Sequence, residues 1–235
     1  MATPMVEVSG LRYRWPGTSR DALAIDALRI DAGSTVFLHG PSGCGKSTLL
    51  GLLAGVLVPR EGQVALLGRD WRAMRGAARD ARRADHVGYV FQQFNLLPYL
   101  SVRDNVLLPC RFSPTRRARA AADAGSPAGA AEALLAALGI APDLWDRPAS
   151  HLSVGQQQRV AAARALVGRP ELVIADEPTS ALDAALRDDF MAVLSAQCRA
   201  AGSALVFVSH DERLAAHFDR RVSLPELQRV PREAA

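Results

Sequence analysis

The feature that most constrains this 235-residue chain is a glycine-rich stretch between an apolar run at residues 35–39 and a helix-like run at residues 49–54. The stretch matches the pattern G-x-x-x-x-G-K-[ST] at every fixed position. Glycines let a loop approach an anion closely and turn its N–H groups towards phosphate, and a helix beginning there adds the positive end of its dipole. The sequence therefore predicts a phosphate-binding loop between a strand and a helix. The loop residues are Gly40, Pro41, Ser42, Gly43, Cys44, Gly45, Lys46, Ser47 and Thr48.

Basic-residue usage supports this interpretation over an incidental turn. Lys46 is the only lysine among 28 lysine and arginine residues, so the chain keeps a compact ammonium group only where it suits phosphate. We expect Lys46 to reach the β- and γ-phosphates of a nucleotide. The hydroxyl of Ser47 is expected to help hold Mg²⁺.

Composition excludes several classes of protein. No run approaches the roughly 18–20 apolar residues that cross a bilayer, and the N-terminus lacks the layout of a signal peptide. The three cysteines are few and far apart, which indicates a reducing compartment, so we expect a soluble cytoplasmic protein. The net charge of +4 is modest. The arginine-rich residues 69–83 and 116–119 lack interleaved aromatics, which favours a solvated helix face over nucleic-acid binding and leaves a membrane- or partner-facing surface open.

Hydrophobic patterns predict an α/β fold with a phosphate-loop core. We expect residues 5–13, 23–30 and 35–39 to form a small N-terminal antiparallel layer, and residues 118–130 to be a low-complexity connection. Helices and strands alternate elsewhere, which indicates a mostly parallel sheet. Further strands are predicted at residues 63–67, 87–91, 172–175 and 204–208, and helices at residues 72–83, 100–110, 131–138, 155–167, 184–199 and 211–218. The predicted division is a catalytic core of residues 1–93 and 165–235 with an inserted helical subdomain of residues 94–164.

Two adjacent carboxylates follow the apolar run at residues 172–175, where α/β sheets place ligands. We expect Asp176 to bind Mg²⁺ and Glu177 to act as general base towards an attacking water. An acidic pair at a strand end is by itself more often a turn than a site. The phosphate loop upstream favours the functional interpretation.

Three further features stay open when only their residues are considered. His210 and Gln92 each follow a predicted strand. His210 could contact the γ-phosphate and orient the attacking water, Gln92 could reach Mg²⁺ and that water, or either residue could be structural. The turn Ser153-Val154-Gly155-Gln156 opens a long predicted helix. It is either a second anion-binding helix terminus or an ordinary helix cap.

These motifs together resemble, in order and over nearly the whole chain, an ATP-binding-cassette (ABC) transporter ATPase subunit. The phosphate loop resembles the Walker A motif, residues 152–156 the signature LSGGQ, and residues 172–177 the Walker B motif. Gln92 resembles the Q-loop glutamine, His210 the switch histidine, and Tyr13 the adenine-stacking aromatic. Ser180, Ala181, Leu182 and Asp183 resemble the D-loop.

The resemblance implies ATP and Mg²⁺ as ligands and two cassettes packed head to tail. Each ATP would then lie between Lys46, Asp176 and Glu177 of one chain and Ser153, Gly155 and Gln156 of the other, with Asp183 nearby. Self-pairing is expected, although a related second cassette could replace one copy. ATP-driven closure and opening of this dimer would drive integral membrane permease subunits on separate chains, with no nucleic-acid partner. The chain would lie on the cytoplasmic face of the inner membrane.

Residues 94–109 resemble the lipoprotein-releasing and macrolide-export group of cassettes, and amino-acid importers and cell-division cassettes share parts of this stretch. The alternatives are therefore an importer subunit, a soluble cassette ATPase, or a binding module without hydrolysis. Two departures from the family bear on this choice. Val154 stands where the signature usually has glycine, and residues 224–227 differ from the usual final strand.

Overall fold

The structure, a computed structural model, describes residues 4–179 and 184–228. In chain order the strands are β1 (Val6–Tyr13), β2 (Leu23–Ile30), β3 (Thr35–His39), β4 (Glu61–Leu66), β5 (Arg69–Asp70), β6 (Val87–Val90), β7 (Leu172–Asp176), β8 (Ala204–Val208) and β9 (Arg220–Ser223). They form two sheets, an antiparallel sheet in the order β2-β1-β4-β5 and a parallel sheet in the order β6-β7-β8-β3-β9. This confirms the predicted α/β class with a small antiparallel layer.

The assignment of Thr35–His39 to the antiparallel layer was wrong. This strand, β3, pairs in parallel with both β8 and β9. Its residues are buried except at the last position, because the strand is covered on both faces. A continuous apolar run fits such a strand better than the half-exposed strands β1 and β2, in which buried and exposed residues largely alternate.

Helices cover the parallel sheet and form a separate cluster between β6 and β7. No helix among residues 4–179 and 184–228 has the length and apolar composition needed to span a membrane. The helices are α1 (Lys46–Leu53), α2 (Gly76–His86), α3 (Val102–Phe112), α4 (Pro114–Ala124), α5 (Pro127–Ala137), α6 (Val154–Leu166), α7 (Ala184–Ala201) and α8 (Leu224–Leu227). The predicted helix at residues 211–218 is a 3₁₀ helix, Glu212–His217.

The low-complexity residues 118–130 are helical, contrary to prediction. Helices α4 and α5 each begin with a Ser-Pro pair, in which the serine side chain accepts a backbone N–H and proline occupies the first turn. Between them, Gly125 has a left-handed conformation that ends α4. Alanine-rich sequence has high helix propensity once such caps are present, so composition alone misled the prediction.

A buried arginine fastens α4 to the base of the core. The guanidinium of Arg116 donates to the carbonyls of Val167 and Ala165, at 2.7 and 2.6 Å, and more weakly to those of Arg164 and Val87. Three of these carbonyls lie at the C-terminal end of α6, where helix carbonyls lack intrahelical partners. Burial lowers the pKa of Arg116 to about 10. Arg116 therefore caps α6 from a neighbouring helix.

An ion-pair network beside Arg116 makes the second attachment. Glu171, just before β7, accepts from His86 Nδ1 and Arg119 Nη2, both at 2.8 Å. Burial alone would raise the pKa of Glu171, but the hydrogen bonds from His86 and Arg119 lower it to about 2. The carboxylate is thus held ionised between the core and α4.

We expect Glu171→Gln to reduce the free energy of unfolding at pH 7 by about 2 kcal/mol, after allowance for partial exposure. Because the folded pKa is depressed, this stabilisation is present above the unfolded pKa and is lost as pH falls towards about 2. Urea unfolding between pH 7 and pH 2.5 should show a shallower loss of stability in the variant than in the parent chain. Glu7→Gln, at an exposed strand position, is the control, and equal pH slopes for all three chains would contradict the assignment.

Candidate functional site

The phosphate loop connects β3 to α1, as predicted. Gly45 precedes the first residue of α1 with φ of 99°, and a Cβ there would lie 2.8 Å from Leu23 Cδ2. A Cβ on Gly40 would lie 2.7 Å from Cys44 Sγ. Both positions therefore require glycine, which lets a loop of this kind approach an anion closely.

Lys46 is the first residue of α1, and its side chain is buried against the loop. Its Nζ donates to the carbonyls of Gly40 and Pro41 at 2.9 and 3.2 Å. These bonds hold the ammonium group over the loop, where a phosphate oxygen can become its further partner. The loop and Lys46 together form a concave, positively polarised anion site.

The C-terminal segment supports the phosphate loop from behind, which sequence reasoning missed. Gln228 Nε2 donates to the Cys44 carbonyl at 2.7 Å. The Pro225 ring packs so closely on Gly40 that a Cβ there would lie 3.0 Å from its Cδ. Leu224 is fully buried beneath them. The departure of residues 224–227 from the family pattern is thus a short helix, α8, that packs against the loop.

The parallel pairing of β7 with β8 brings Glu177 and His210 together. Glu177 N–H donates to the Val208 carbonyl at 3.0 Å, and Glu177 Oε1 lies 2.7 Å from His210 Nε2. Glu177 has a positive φ of 47°, which is rare outside glycine and asparagine. The strained backbone aims the carboxylate at His210, and such strain is concentrated at functional sites.

Asp176 ends β7 and points towards Ser47 and Tyr89. Burial and the adjacent Glu177 raise the pKa of Asp176, while hydrogen bonds from Tyr89 and Ser47 and the charge of Lys46 oppose that rise. Tyr89 Oη lies 3.4 Å from Asp176 Oδ2, and burial raises the phenol's own pKa. Burial and the neighbouring Glu177 disfavour the ionised form of Asp176, and a bound cation would compensate for this charge.

The oxygen donors present fit Mg²⁺. A carboxylate and a hydroxyl meet at Asp176 and Ser47, and hard oxygen ligands are those that Mg²⁺ prefers. Among residues 4–179 and 184–228, no cluster of three or more histidine, cysteine or acidic side chains forms a complete metal cage. Mg²⁺ usually keeps waters and shares substrate phosphates, so a partial protein donor set is what it needs.

Gln92 lies in a turn directly after β6, at the same sheet edge as Asp176. Val90 of β6 pairs with Ala175 of β7, so the two chains leave the sheet side by side. The Phe94 N–H donates to the Phe91 carbonyl at 3.0 Å and closes the turn. The amide of Gln92 is exposed at this edge.

The signature turn is a helix N-terminus held by a capping box. Ser153 Oγ accepts from Gln156 N–H at 3.3 Å, and Gln156 Oε1 accepts from Ser153 N–H at 2.9 Å. Val154 is the first residue of α6 and has no positive φ, so its β-branch imposes no backbone strain. Within the described part of the chain, no hydrogen bond or ion pair joins Ser153, Gly155 or Gln156 to the phosphate loop.

The aromatic prediction needs a correction. Tyr13 is 7% exposed, because it lies on the buried face of β1, and burial raises its pKa. Trp15 is 43% exposed and meets the Tyr13 ring edge-to-face at 5.2 Å. A planar base can stack only on an accessible ring, so we propose Trp15 instead of Tyr13 for this role. The D-loop residues Ser180, Ala181, Leu182 and Asp183 lie outside the described residues.

The loop after His210 has anchors that sequence reasoning also missed. Asp211 bonds to Arg187 of α7 and to Arg213, and hydrogen bonds from Arg213 lower the pKa of Asp211 to about 2. The Asp211 N–H donates to Ser209 Oγ at 3.0 Å. These bonds fix the backbone on the C-terminal side of His210.

An apolar groove of about 810 Å³ lies beside the phosphate loop, between the core and α3. Ser47 and Arg164 contribute polar groups to its wall. Phe112, at its rim, is 75% exposed. The main apolar residues of the wall are Trp15, Val56, Leu57, Phe91, Leu108 and Phe112.

A phosphate loop with a carboxylate pair and a histidine at the carboxyl edge of a parallel sheet defines a nucleotide-hydrolysing P-loop enzyme. Comparison with known proteins narrows this class. The ABC transporter family profile matches residues 24–180. The chain is 43% identical to the lipoprotein-releasing system ATP-binding protein LolD of Novosphingobium aromaticivorans, over 96% of this chain and 98% of that protein.

Two other comparisons agree. The chain is 36% identical to the macrolide export ATP-binding/permease protein MacB of Burkholderia pseudomallei, over 96% of this chain but only 34% of that protein. The fold matches a dimeric post-hydrolysis structure of the ATP-binding cassette MJ0796 bound to ADP and Pi, with a TM-score of 0.78 and 33% identity over 93% of this chain and 94% of that one. The chain belongs to the ABC transporter family, of which it is an ATP-binding, ATP-hydrolysing component.

We expect Gln228→Ala to raise the KM for ATP about threefold to tenfold, since one hydrogen bond to the phosphate loop is lost. The kcat should change less, because Gln228 does not reach the reacting carboxylate. Steady-state ATPase kinetics provide the test, and Glu226→Ala, on the exposed side of α8, is the matched control. An unchanged KM in Gln228→Ala would show that the loop does not depend on this support.

Proposed function

We propose that this chain is the ATPase subunit of a lipoprotein-releasing or related export system and drives a permease on a separate chain. The observation that carries the catalytic part is the 2.7 Å contact between Glu177 and His210 at the sheet edge beside the phosphate loop. The full-length similarity to LolD supports the lipoprotein-releasing type. MacB, by its name, joins ATP-binding and permease parts in one protein, and this chain matches a third of it.

In the proposed reaction, the phosphate loop and Lys46 bind the triphosphate and Glu177 accepts a proton from the attacking water. His210 holds the Glu177 carboxylate in place and gives the γ-phosphate a hydrogen-bond donor. Gln92 lies where its amide can orient the water. Ser47, Asp176 and Gln92 would hold Mg²⁺, which when bound neutralises phosphate charge. These roles follow from residue chemistry and from the edge of the sheet the residues share.

The proposed second half of the nucleotide site comes from another copy. At the start of α6 the capping box uses the Gln156 N–H, while the N–H groups of Val154 and Gly155 have no intrahelical partner. These groups and the Ser153 hydroxyl suit the phosphate of a nucleotide bound to a facing chain. The MJ0796 neighbour is dimeric, which supports a head-to-tail homodimer, and Asp183 would lie near this interface.

The apolar groove is the proposed docking site for the permease, which would hold the chain at the cytoplasmic face of the inner membrane. Its exposed wall residues, including Val56, Phe91 and Phe112, are those that association would bury. Ser47 also lines the groove, and Phe91 precedes Gln92, so a docked segment would contact the nucleotide site. We expect a short amphipathic helix of the permease as the occupant.

Replacement of Glu177 by Gln is the first test. We expect kcat to fall by about 10²-fold or more, since the general base is lost, while nucleotide binding persists. Light scattering with ATP should then show a stable dimer. Glu212→Gln, an exposed acid near His210, is the control and should retain activity. Retained hydrolysis in Glu177→Gln would contradict the assigned role, and a parent chain without ATPase activity would favour a pure binding module.

Phe112→Asp tests the docking groove. We expect it to weaken association with a co-expressed lipoprotein-releasing permease from the same genome by about 30-fold, because it replaces an exposed aromatic side chain that docking would bury with a charge. Tyr99→Asp is the matched control, because Tyr99 is also 75% exposed but lies outside the groove. Equal affinities for both variants would exclude the groove. A chain that hydrolyses ATP but co-purifies with no membrane protein would favour a soluble cassette, and stimulation only by an importer permease would favour an importer.

A further inference from the structure

Arg164, near the C-terminal end of α6, reaches across to the loop that carries Gln92. Its Nη1 donates to the Asn95 carbonyl at 2.7 Å, and its Nη2 donates to the Phe94 carbonyl. The residues joined are about 70 positions apart in sequence. Two donors of one planar guanidinium thus fix two consecutive peptide groups, a geometry that lysine cannot reproduce.

The segment that Arg164 holds has a strained backbone. Phe94 and Asn95 have φ values of 57° and 49°, so two adjacent non-glycine residues are left-handed. Such conformations are unfavourable for residues other than glycine and persist only where surrounding contacts impose them, although asparagine tolerates them better than phenylalanine. The Phe94 ring is buried in the core of the helical cluster, and the Asn95 N–H donates to the Gln93 carbonyl.

The remaining part of this loop has a separate anchor. The buried side chain of Asn105, in α3, accepts from the Leu97 N–H and donates to the carbonyls of Leu97 and Ser101 at 3.0 Å. Asn105 therefore fixes the distal half of the loop. In the half that contains Gln92 and the strained pair, Arg164 makes the side-chain hydrogen bonds.

The charge of Arg164 has no acidic partner among the described residues, and burial lowers the pKa of its guanidinium. A partly buried cation that bonds only to carbonyls is a costly way to pack a helix, because an apolar side chain would fill the space without loss of hydration of a charge. Arg159, on the same helix, also donates to a backbone carbonyl, that of Leu138. Leu138 is not part of the loop that carries Gln92. Arg159 therefore serves as a control for an arginine that bonds to a carbonyl elsewhere.

We propose that Arg164 is a positioning residue for Gln92. It holds the Gln92 turn in its strained conformation and fastens it to α6, whose other end bears Ser153. The two elements that would meet the γ-phosphates of two different nucleotides are thereby joined within one chain. The proposal rests on the proposed function for the role of Gln92, whereas the fastening of the loop does not depend on it.

The test uses Arg164→Lys, with Arg159→Lys as the matched control, in the full chain. Arg164→Lys should lower kcat at least tenfold and leave the Kd for a fluorescent ATP analogue within about threefold. Arg159→Lys should keep both values. In a Gln92→Ala background the further effect of Arg164→Lys should nearly vanish, because both changes remove the same contribution. Multiplicative losses in the double variant, or an unchanged kcat in Arg164→Lys, would overturn the proposal.

Hydrogen–deuterium exchange gives a second readout that needs no ATPase activity. Arg164→Lys should accelerate exchange at residues 93–96 at least tenfold, while residues 97–101, held by Asn105, stay protected. If the parent chain hydrolyses no ATP, the proposed function fails, yet this measurement still decides whether Arg164 holds the loop. Unchanged exchange at residues 93–96 would refute the fastening, and equal acceleration throughout α6 would show a merely structural role.

Discussion

The parallel register of β3, β8 and β7 is the constraint on which the site depends. Parallel strands leave the sheet at one edge, so the phosphate loop after β3, His210 after β8 and the carboxylates after β7 share that edge. The bond from the Glu177 N–H to the Val208 carbonyl extends the β7–β8 pairing past the strand end and sets the carboxylate against His210. The geometry of the candidate site is thus a direct consequence of backbone pairing.

The sequence alone predicted the position of a feature correctly wherever that feature needs a particular residue type for a physical reason. The glycines of the phosphate loop, the lone lysine and the carboxylate pair after an apolar run each require a particular backbone or charge, and each was placed on the correct kind of element. Prediction failed where the deciding factor was burial. Tyr13 and Trp15 are both aromatic and two positions apart, and only the packed sheet shows that the second is accessible.

Two other features that the sequence did not predict depend on contacts between residues that are distant in sequence. Nothing near Gln228 indicates that its amide supports the phosphate loop 184 positions away. Likewise, β3 follows β1 and β2 closely in the sequence, but its partners β8 and β9 lie at the far end of the chain. The failure to predict the alanine-rich α4 has a local cause instead. The low-complexity composition was given more weight than the serine–proline pairs that begin the helices.

The arginine bias of the chain has a structural explanation. Arg116 donates to carbonyls at the end of α6, whereas Arg159 and Arg164 lie on α6 and donate to carbonyls of other segments. A planar guanidinium can satisfy several such carbonyls at once, whereas an ammonium group binds as a point charge. Arginine thus fastens elements together where carbonyls lack partners, while the one lysine lies over the phosphate loop. This division means that Arg116 and Arg164 fix one end of α6 to the core and to the Gln92 loop. The Ser153 end is left exposed, as contact with a second copy would require.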